Sequence, residues 1–141
     1  MIVLTRLRQL SRTSLHFVYN ECMKLKQNLK VFLCFSWTGE DHQAVEERML
    51  RLEKLLKDAG IDAYVNLSDP LIKSFTKPGQ FITHSLKVME GHDTLIVVKS
   101  SARRSEGQLM EIGAALCSGK RIITLIKEGL ENETYVHDPD I

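Results

Sequence analysis

Residues 94–126 read TLIVVKSSARRSEGQLMEIGAALCSGKRIITLI, and they contain two apolar runs separated by a helix-like segment. Thr94–Val98 and Ile122–Ile126 each have the length and apolar content of a buried strand. Between them, Ser105 and Gln108 have the spacing of a capping box, which predicts that a helix begins there. The predicted apolar stripe of this helix has i, i+3, i+7 spacing and comprises Leu109, Ile112 and Leu116. A strand, a helix and a second strand in this order predict two parallel strands joined by a crossover helix.

The rest of the chain continues the same alternation. Lys30–Phe35 and Ile61–Asn66 have the composition of strands, and helical apolar spacing covers the segment up to Ala59 and again Gln80–Glu90. We therefore predict an α/β protein, a three-layer sandwich with a parallel sheet of the flavodoxin-like or Rossmann-like type. Three polar loops follow strand carboxyl ends and should meet at the edge where such sheets bind ligands: residues 36–41, 67–77 and 99–104.

Composition restricts the class of protein. The chain has 141 residues, of which 43% are hydrophobic and 26% charged, which suits a single globular domain. Its formal net charge of +1 gives no electrostatic case for binding polymeric nucleic acid, and we expect no membrane association because no apolar run is long enough to cross a bilayer. The three cysteines lack CxxC spacing, so we expect a reducing, cytoplasmic setting without a disulfide scaffold or a metal site. The sequence contains neither a GxGxxG motif nor a P-loop, and we expect no cofactor.

Residues 1–29 differ from the remainder. The first twenty residues contain three arginines and no acidic residue, as organellar targeting segments do. An amphipathic helix packed on the domain, and a start codon assigned upstream of Met23, are two alternative interpretations. We therefore expect residues 30–141 to form one domain that residues 1–29 precede as an N-terminal extension.

Glu111 is the residue we expect to carry chemistry. It falls in the second turn of a predicted helix at the carboxyl end of a strand, and Gly107 and Gly113 on either side of it would leave room for a ligand. A carboxylate in such a place can serve as nucleophile or ion-pair partner at an anomeric carbon. A second carboxylate usually acts as the acid, and the candidates are Asp41, Asp69 and Asp93. The alternative for Glu111 is a solvated carboxylate on a helix surface.

Serines near the predicted strand ends are candidate substrate-binding residues. They are Ser36, Ser100 and Ser105, and the last of these adds the free N–H groups of a helix start, which favour phosphate. Trp37 lies in a predicted loop and either stacks on a base or covers the edge of the sheet. The glycines Gly107 and Gly113 would lie against the same ligand, for which we expect a small nucleoside or nucleotide.

The motif around Glu111 resembles that of a known enzyme family. Ser105-x-Gly107-x-x-x-Glu111-Ile112-Gly113-x-Ala115, followed by Gly119-Lys120-Arg121-Ile122, is similar to the signature of the nucleoside 2-deoxyribosyltransferases and the related 2′-deoxynucleoside 5′-monophosphate N-glycosidases. The resemblance spans about residues 30–126. It implies that the serine and the first glycine contact substrate or phosphate and that Glu111 is the nucleophile at C1′. It also implies a homodimer or a larger homo-oligomer.

The sequence also resembles the TIR domain and departs from the transferases at two places. Val31–Ser36, with Glu40 beyond, is similar to the first TIR box, and the spacing from Ser105 to Glu111 is that of the TIR helix that carries the NAD-cleaving glutamate. TIR domains usually have an aromatic residue where Gly107 stands, which favours the transferase resemblance. Ser85 stands where the transferases carry an aspartate, and Phe35-Ser36 replaces their glycine-serine pair.

These resemblances lead to three hypotheses. The first is an enzyme that cleaves or transfers at the N-glycosidic bond of a nucleoside or nucleotide through Glu111. The second is a TIR-type domain that cleaves NAD or mediates signalling assembly. The third, which the Ser85 departure favours, is a catalytically silent module that binds a nucleotide.

Overall fold

The computed structural model describes the backbone of residues 2–7 together with residues 29–130 and 132. Within these residues the strands are β1 (Ile2–Leu7), β2 (Lys30–Phe35), β3 (Asp62–Tyr64), β4 (Thr94–Lys99) and β5 (Arg121–Lys127). The α-helices are α1 (His42–Asp58), α2 (Pro78–Glu90) and α3 (Glu106–Cys117). Two short 3₁₀ helices, Asn66–Ser68 and Pro70–Ser74, connect β3 to α2.

The described strands form one parallel sheet in the order β1-β5-β4-β2-β3. The predicted parallel α/β sandwich of the flavodoxin-like or Rossmann-like type is therefore confirmed. From β2 the chain first adds β3 on one side and then returns to add β4 on the other side. Such a reversal sends the loops after β2 and β4 to opposite faces of the sheet, and ligands bind in the crevice between such loops.

Helices cover both faces of the sheet, as a three-layer sandwich requires. On one face, α1 packs against alternate strand residues such as Leu33 and Ile96. On the other face, Met89 of α2 and Ile112 of α3 share a cluster with Phe32. The division follows from the two-residue period of a strand, because successive side chains point to opposite faces. The buried apolar stripe of α1 comprises Val45, Met49, Leu52 and Leu56, as its spacing predicts.

β1 is a strand that the sequence patterns do not predict. Ile2–Leu7 pairs in parallel with β5 from Ile122 to Lys127. β-branched residues occupy three of its six positions, and such residues favour extended backbone. The amphipathic-helix interpretation is therefore wrong for Ile2–Leu7. The targeting interpretation concerns residues 1–20 and the start-codon interpretation concerns residues 1–22, and beyond Leu7 both fall on residues outside the described ones.

The segment after β3 also differs from its prediction. β3 ends at Tyr64, whereas the sequence predicts a strand as far as Asn66, and the predicted polar loop 67–77 contains most of the 3₁₀ structure. Asp69 begins the second 3₁₀ helix by accepting a hydrogen bond from the Leu71 amide at 2.9 Å. Pro70 follows at the first helical position, where its fixed φ is favourable.

The buried face of α3 is not the one that its leucines predict. Leu109 and Leu116 are 55% and 40% exposed, so the predicted stripe is correct only at Ile112. The residues that are buried also have helical spacing, and they are Gln108, Glu111, Ile112 and Ala115. Two polar side chains thus enter the interior, because hydrogen-bonding partners for both lie beneath the helix, as described below.

We expect Leu52→Ala to destabilise the protein by about 2–5 kcal/mol, because Leu52 is 1% exposed in the core beneath α1. Leu55→Ala is the matched control: Leu55 lies on the same helix but is 38% exposed, so its loss should cost about 1 kcal/mol or less. Denaturant unfolding of both variants measures the difference. Equal destabilisation would contradict the orientation of α1.

Candidate functional site

Although the chain leaves β2 and β4 toward opposite faces, the loops that follow these strands contact each other across the crevice between them. Ser101 donates a hydrogen bond to the Glu40 carboxylate, and Lys99 donates one to the Arg103 carbonyl. The Arg103 guanidinium lies over Gly39, where a Cβ would stand 2.6 Å from Nη1. Gly39 also has a φ of +78°, so both the space and the backbone favour glycine there. The predicted convergence of these two loops is confirmed.

Gln108 joins the strand ends to α3. Its Oε1 accepts a hydrogen bond from the Ser36 hydroxyl at 3.1 Å, and its Nε2 donates one to the Val98 carbonyl at 3.1 Å. Gln108 and Ser36 are each 4% exposed. The hydroxyl of Ser36, a predicted substrate contact, is therefore already hydrogen-bonded inside the protein.

Glu111 is buried among α3, β2 and α2. It is 6% exposed, so the interpretation of Glu111 as a solvated surface carboxylate is wrong. The side chains of Cys34 and Ser85 lie beside this carboxylate and act on it as hydrogen-bonding groups, and the Cys34 thiol also donates to the Gln108 carbonyl at 3.9 Å. Asn66 continues the network, since its Nδ2 donates to Ser85 Oγ at 2.7 Å. In the described part of the chain, no basic side chain forms an ion pair with this carboxylate.

The environment of Glu111 shifts two pKa values. Burial raises the pKa of Glu111 above its ordinary value of 4.5, and the hydrogen bonds from Cys34 and Ser85 oppose this shift only in part. Burial also raises the pKa of the Cys34 thiol, and the neighbouring Glu111 raises it further. Cys34 is therefore a neutral thiol beside Glu111 and not a thiolate nucleophile. A buried carboxylate without a cationic partner destabilises a fold, and such perturbed groups cluster at functional sites.

A second polar cluster lies at the carboxyl end of β3. Asp69 Oδ2 is 2.8 Å from the Tyr64 hydroxyl and 2.8 Å from His84 Nε2. The Tyr64 hydroxyl and His84 Nε2 are themselves 3.3 Å apart. His84 directly precedes Ser85, the hydrogen-bonding partner of Glu111, so the two clusters are neighbours on α2.

Hydrogen bonding keeps Asp69 ionised. Burial acts to raise the pKa of Asp69, but hydrogen bonds from His84, Tyr64 and the Leu71 amide outweigh it, and the pKa lies below the ordinary value of 3.8. Burial raises the pKa of Tyr64, and the hydrogen bond and charge of Asp69 raise it further. Glu111 also raises the Tyr64 pKa, so the two clusters interact electrostatically. At neutral pH Asp69 is a carboxylate and Tyr64 a phenol.

The other two acidic candidates serve the fold. Asp41 caps α1 by accepting a hydrogen bond from the Ala44 amide at 3.1 Å. Asp93 accepts one from the Lys30 amide at 3.2 Å and thereby joins the start of β2 to the start of β4. Asp69 alone of the three lies beside the Glu111 network.

Three predicted substrate-binding residues lie around the crevice. Trp37 stacks on His42 with ring centroids 4.2 Å apart and an interplanar angle of 10°, so one of its faces is occupied. The Ser105 hydroxyl caps α3 by accepting a hydrogen bond from the Gln108 amide at 3.4 Å, and Ser100 is half-buried after β4. Substrate binding by these residues stays a prediction.

Gly107 and Gly113 have different relations to Glu111. Gly107 precedes Glu111 by four residues and lies on the same side of α3. Gly113 follows it by two residues and is turned by about 200° to the other side. A Cβ at either glycine would meet nothing within 4 Å, so neither is required by packing. Substrate contact by Gly107 and Gly113 stays a prediction, and of the two Gly107 is the one on the same side of α3 as Glu111.

The patterns in the sequence miss Gln108, Cys34, Tyr64 and His84. The capping box assigns Gln108 only to the start of a helix. Gln108 and Glu111 are, however, two polar residues at i, i+3, and this spacing is a signal that one face of α3 carries polar groups. Cys34 lies in an apolar run and resembles an ordinary core residue. For Tyr64 and His84 no spacing in the sequence gives a signal, because tertiary packing brings them together.

Residues 29–130 show neither a metal site nor a membrane-spanning helix. Their His, Cys, Asp and Glu side chains form no group of three that could hold a metal ion. Their helices are also too short or too polar to cross a bilayer. No protein-family model matches the chain, and a search of curated proteins likewise found no match.

Glu111→Gln is expected to increase the free energy of unfolding near neutral pH, because the amide keeps the shape of the carboxyl group without the buried charge. The pKa of Glu111 is raised in the folded state above its ordinary value of 4.5. Burial of Glu111 therefore costs the wild type no stability below about pH 4.5, where the side chain is protonated in both states. Stability is lost as the pH rises from there through the folded-state pKa. The advantage of the variant should therefore shrink as the pH falls. Denaturant unfolding of both proteins over a pH series measures this, and a pH-independent difference would contradict the assigned environment.

Proposed function

We propose that this protein cleaves or transfers at the N-glycosidic bond of a nucleoside or nucleotide, including deoxy forms, with Glu111 reacting at C1′. The single observation that carries the proposal is the buried carboxylate of Glu111, held by Cys34 and Ser85 on the helix that starts at the crevice. The resemblance of the motif from Ser105 to Ala115 to the nucleoside 2-deoxyribosyltransferases supports the same chemistry.

The site residues divide into reacting and binding groups. In its ionised form, Glu111 attacks C1′ as the base departs, and an ester then holds the sugar until water or an acceptor base takes it. Cys34 and Ser85 orient the carboxylate through their hydrogen bonds. Ser105 and the free amides at the start of α3 would bind ribose or phosphate, with Ser100 nearby.

The remaining predicted contacts would act less directly. Ser36 would contribute by holding Gln108 in place, and Trp37 would offer a base its face opposite His42. The reaction needs no cofactor, because the carboxylate and water supply the reacting groups. Self-association stays a prediction, which the exposed apolar side chains on α3 support: Leu109, Met110 and Leu116.

A nucleotide-binding module without turnover is the second candidate, and Ser85 favours it. The resemblance places an aspartate where Ser85 hydrogen-bonds to Glu111, and a hydroxyl is a much weaker acid than a carboxylic acid. The raised pKa of Glu111 also reduces the ionised fraction available for attack. A TIR-type activity on NAD is the third candidate, against which Gly107 counts.

The proposal is tested by incubating the purified protein with deoxynucleosides, their monophosphates, ribonucleosides and NAD, and measuring free base by chromatography. We expect base release that Glu111→Gln abolishes. The matched control is Glu53→Gln, since Glu53 is also 6% exposed but lies on α1, on the other face of the sheet. It should retain activity.

Three other results of this experiment would count against the proposal. Nicotinamide release as the only product would favour the TIR-type activity. Tight nucleotide binding without product would favour the silent module. Turnover retained in Glu111→Gln would contradict the role of Glu111.

Gly107→Ala should lower base release, because the added methyl group would occupy space beside Glu111 that we assign to the substrate. Gly79→Ala is its matched control: both glycines are the second residue of a helix, and a Cβ at either meets nothing within 4 Å. Both variants should be as stable as the wild type or more stable by up to about 1 kcal/mol. Thermal denaturation and the base-release assay measure the two effects, and equal activities of the two variants would count against substrate beside Gly107.

A further inference from the structure

We propose that His84 donates the proton that the departing base needs, and that Asp69 and Tyr64 hold its imidazole in place. This assignment rests on the proposed function and names a catalytic residue that the sequence motif does not contain. It follows from the cluster of Tyr64, Asp69 and His84, which lies next to Ser85 on α2.

The reaction requires a proton donor that the carboxylates do not provide. A base leaves more readily when a positioned acid protonates it. Asp69 is held as a carboxylate by hydrogen bonds from His84, Tyr64 and the Leu71 amide. Asp41 and Asp93, as described above, hold α1 and the strand starts. Ser85 has only a hydroxyl, so the adjacent imidazole of His84 is the suitable acid on this helix.

The position of His84 suits this role. His84 lies in the second turn of α2, and Glu111 lies in the second turn of α3. Both helices begin at the carboxyl edge of the sheet and cover the same face. The Cα atoms of His84 and Ser85 are about 3.8 Å apart, and Ser85 hydrogen-bonds to Glu111. The proton donor therefore lies one residue from the side chain that contacts the nucleophile, and the electrostatic effect of Glu111 on Tyr64, a contact of His84, shows that the two clusters are close.

The imidazole has one nitrogen engaged and one available. Nε2 lies 2.8 Å from Asp69 Oδ2, and this contact fixes the orientation of the ring. Across the described residues, no hydrogen bond engages Nδ1. The His84 side chain is 17% exposed, so a small ligand can reach it. Nδ1 is therefore the atom to which we assign the proton that is transferred.

The surroundings of His84 suit a planar base. Phe75 meets the imidazole ring edge to face, with centroids 5.4 Å apart, and Phe75 and Phe81 meet at 5.3 Å. Aromatic side chains of this kind bind the faces of bases. Asn66, the partner of Ser85, has an Oδ1 that is buried without a hydrogen-bond partner in the part of the chain described. A buried acceptor without a partner is unusual in a folded protein, and here it lies on the residue that hydrogen-bonds to Ser85.

The proposed step balances in atoms and charge. A Glu111 oxygen forms a bond to C1′ while the C1′–N bond breaks and its electron pair passes to the base. The proton on His84 Nδ1 moves to the base, which leaves neutral. Water then attacks C1′, its proton returns to His84, and the ester bond to Glu111 breaks to regenerate the carboxylate.

The test compares two leaving groups in the wild type, His84→Gln and Asp69→Asn. One substrate is the best unactivated deoxynucleoside of the panel. The other is 7-methyl-2′-deoxyguanosine, whose base carries a positive charge and leaves as a neutral molecule without a proton. We expect His84→Gln to lower kcat on the first substrate by about 100-fold or more and to lower it far less on the second. Asp69→Asn, a positioning variant, should show the same selectivity to a smaller degree.

The outcomes separate this assignment from the proposed function. An equal loss on both substrates in His84→Gln, or no loss on either, overturns the assignment of His84 and leaves that of Glu111 intact. Circular dichroism and thermal denaturation show separately whether each variant is folded, so an equal loss counts against His84 only in a folded variant; if His84→Gln does not fold, Asp69→Asn carries the same test. A wild type that cleaves neither substrate overturns the proposed function, and the role of His84 with it.

Discussion

The burial of the Glu111 carboxylate is the constraint on which the rest of this site depends. A charge that is 6% exposed and has no basic partner in the described part of the chain needs hydrogen-bond donors, and Cys34 and Ser85 supply them. These contacts help to fix the rotation of α3 about its own axis. Gln108 and Glu111 face the interior, and Leu109 and Leu116 face solvent. Apolar burial alone would favour a rotation of α3 that buries Leu109 and Leu116 beside Ile112, so the polar contacts contribute to the orientation of α3 together with Ile112 and Ala115.

Topology is what brings these groups together. Glu111, Cys34 and Ser85 come from α3, β2 and α2, which are distant in sequence. Because the strands are parallel and the connection reverses between β2 and β4, α2 and α3 cover the same face, and both begin at the carboxyl edge. A nucleophile on one helix and an imidazole on the other can then serve one ligand. The fold by itself implies no activity, so the function follows from these side chains.

The sequence predicts the fold better than it predicts the site. Apolar runs and helix caps identify β2, β4, β5 and all three described helices, since each depends on local spacing. β1 escapes prediction because its pairing with β5 is a long-range contact. Glu111 stands out in the sequence because its motif resembles a known family. The cluster of Tyr64, Asp69 and His84 cannot be predicted from a sequence motif, because its members meet only after the 3₁₀ segment folds.

The most direct measurement of the central claim is to quench the reaction with acid during turnover and to map the peptides by mass spectrometry. If Glu111 is the nucleophile, the peptide that contains it should carry the mass of the sugar as an ester, and fragmentation should place the ester on Glu111. A sugar attached to another residue would contradict the account. So would an unmodified Glu111 peptide under conditions where an ester would accumulate. A 2-fluoro substrate provides such conditions, because its ester is hydrolysed slowly, provided that it still releases its base.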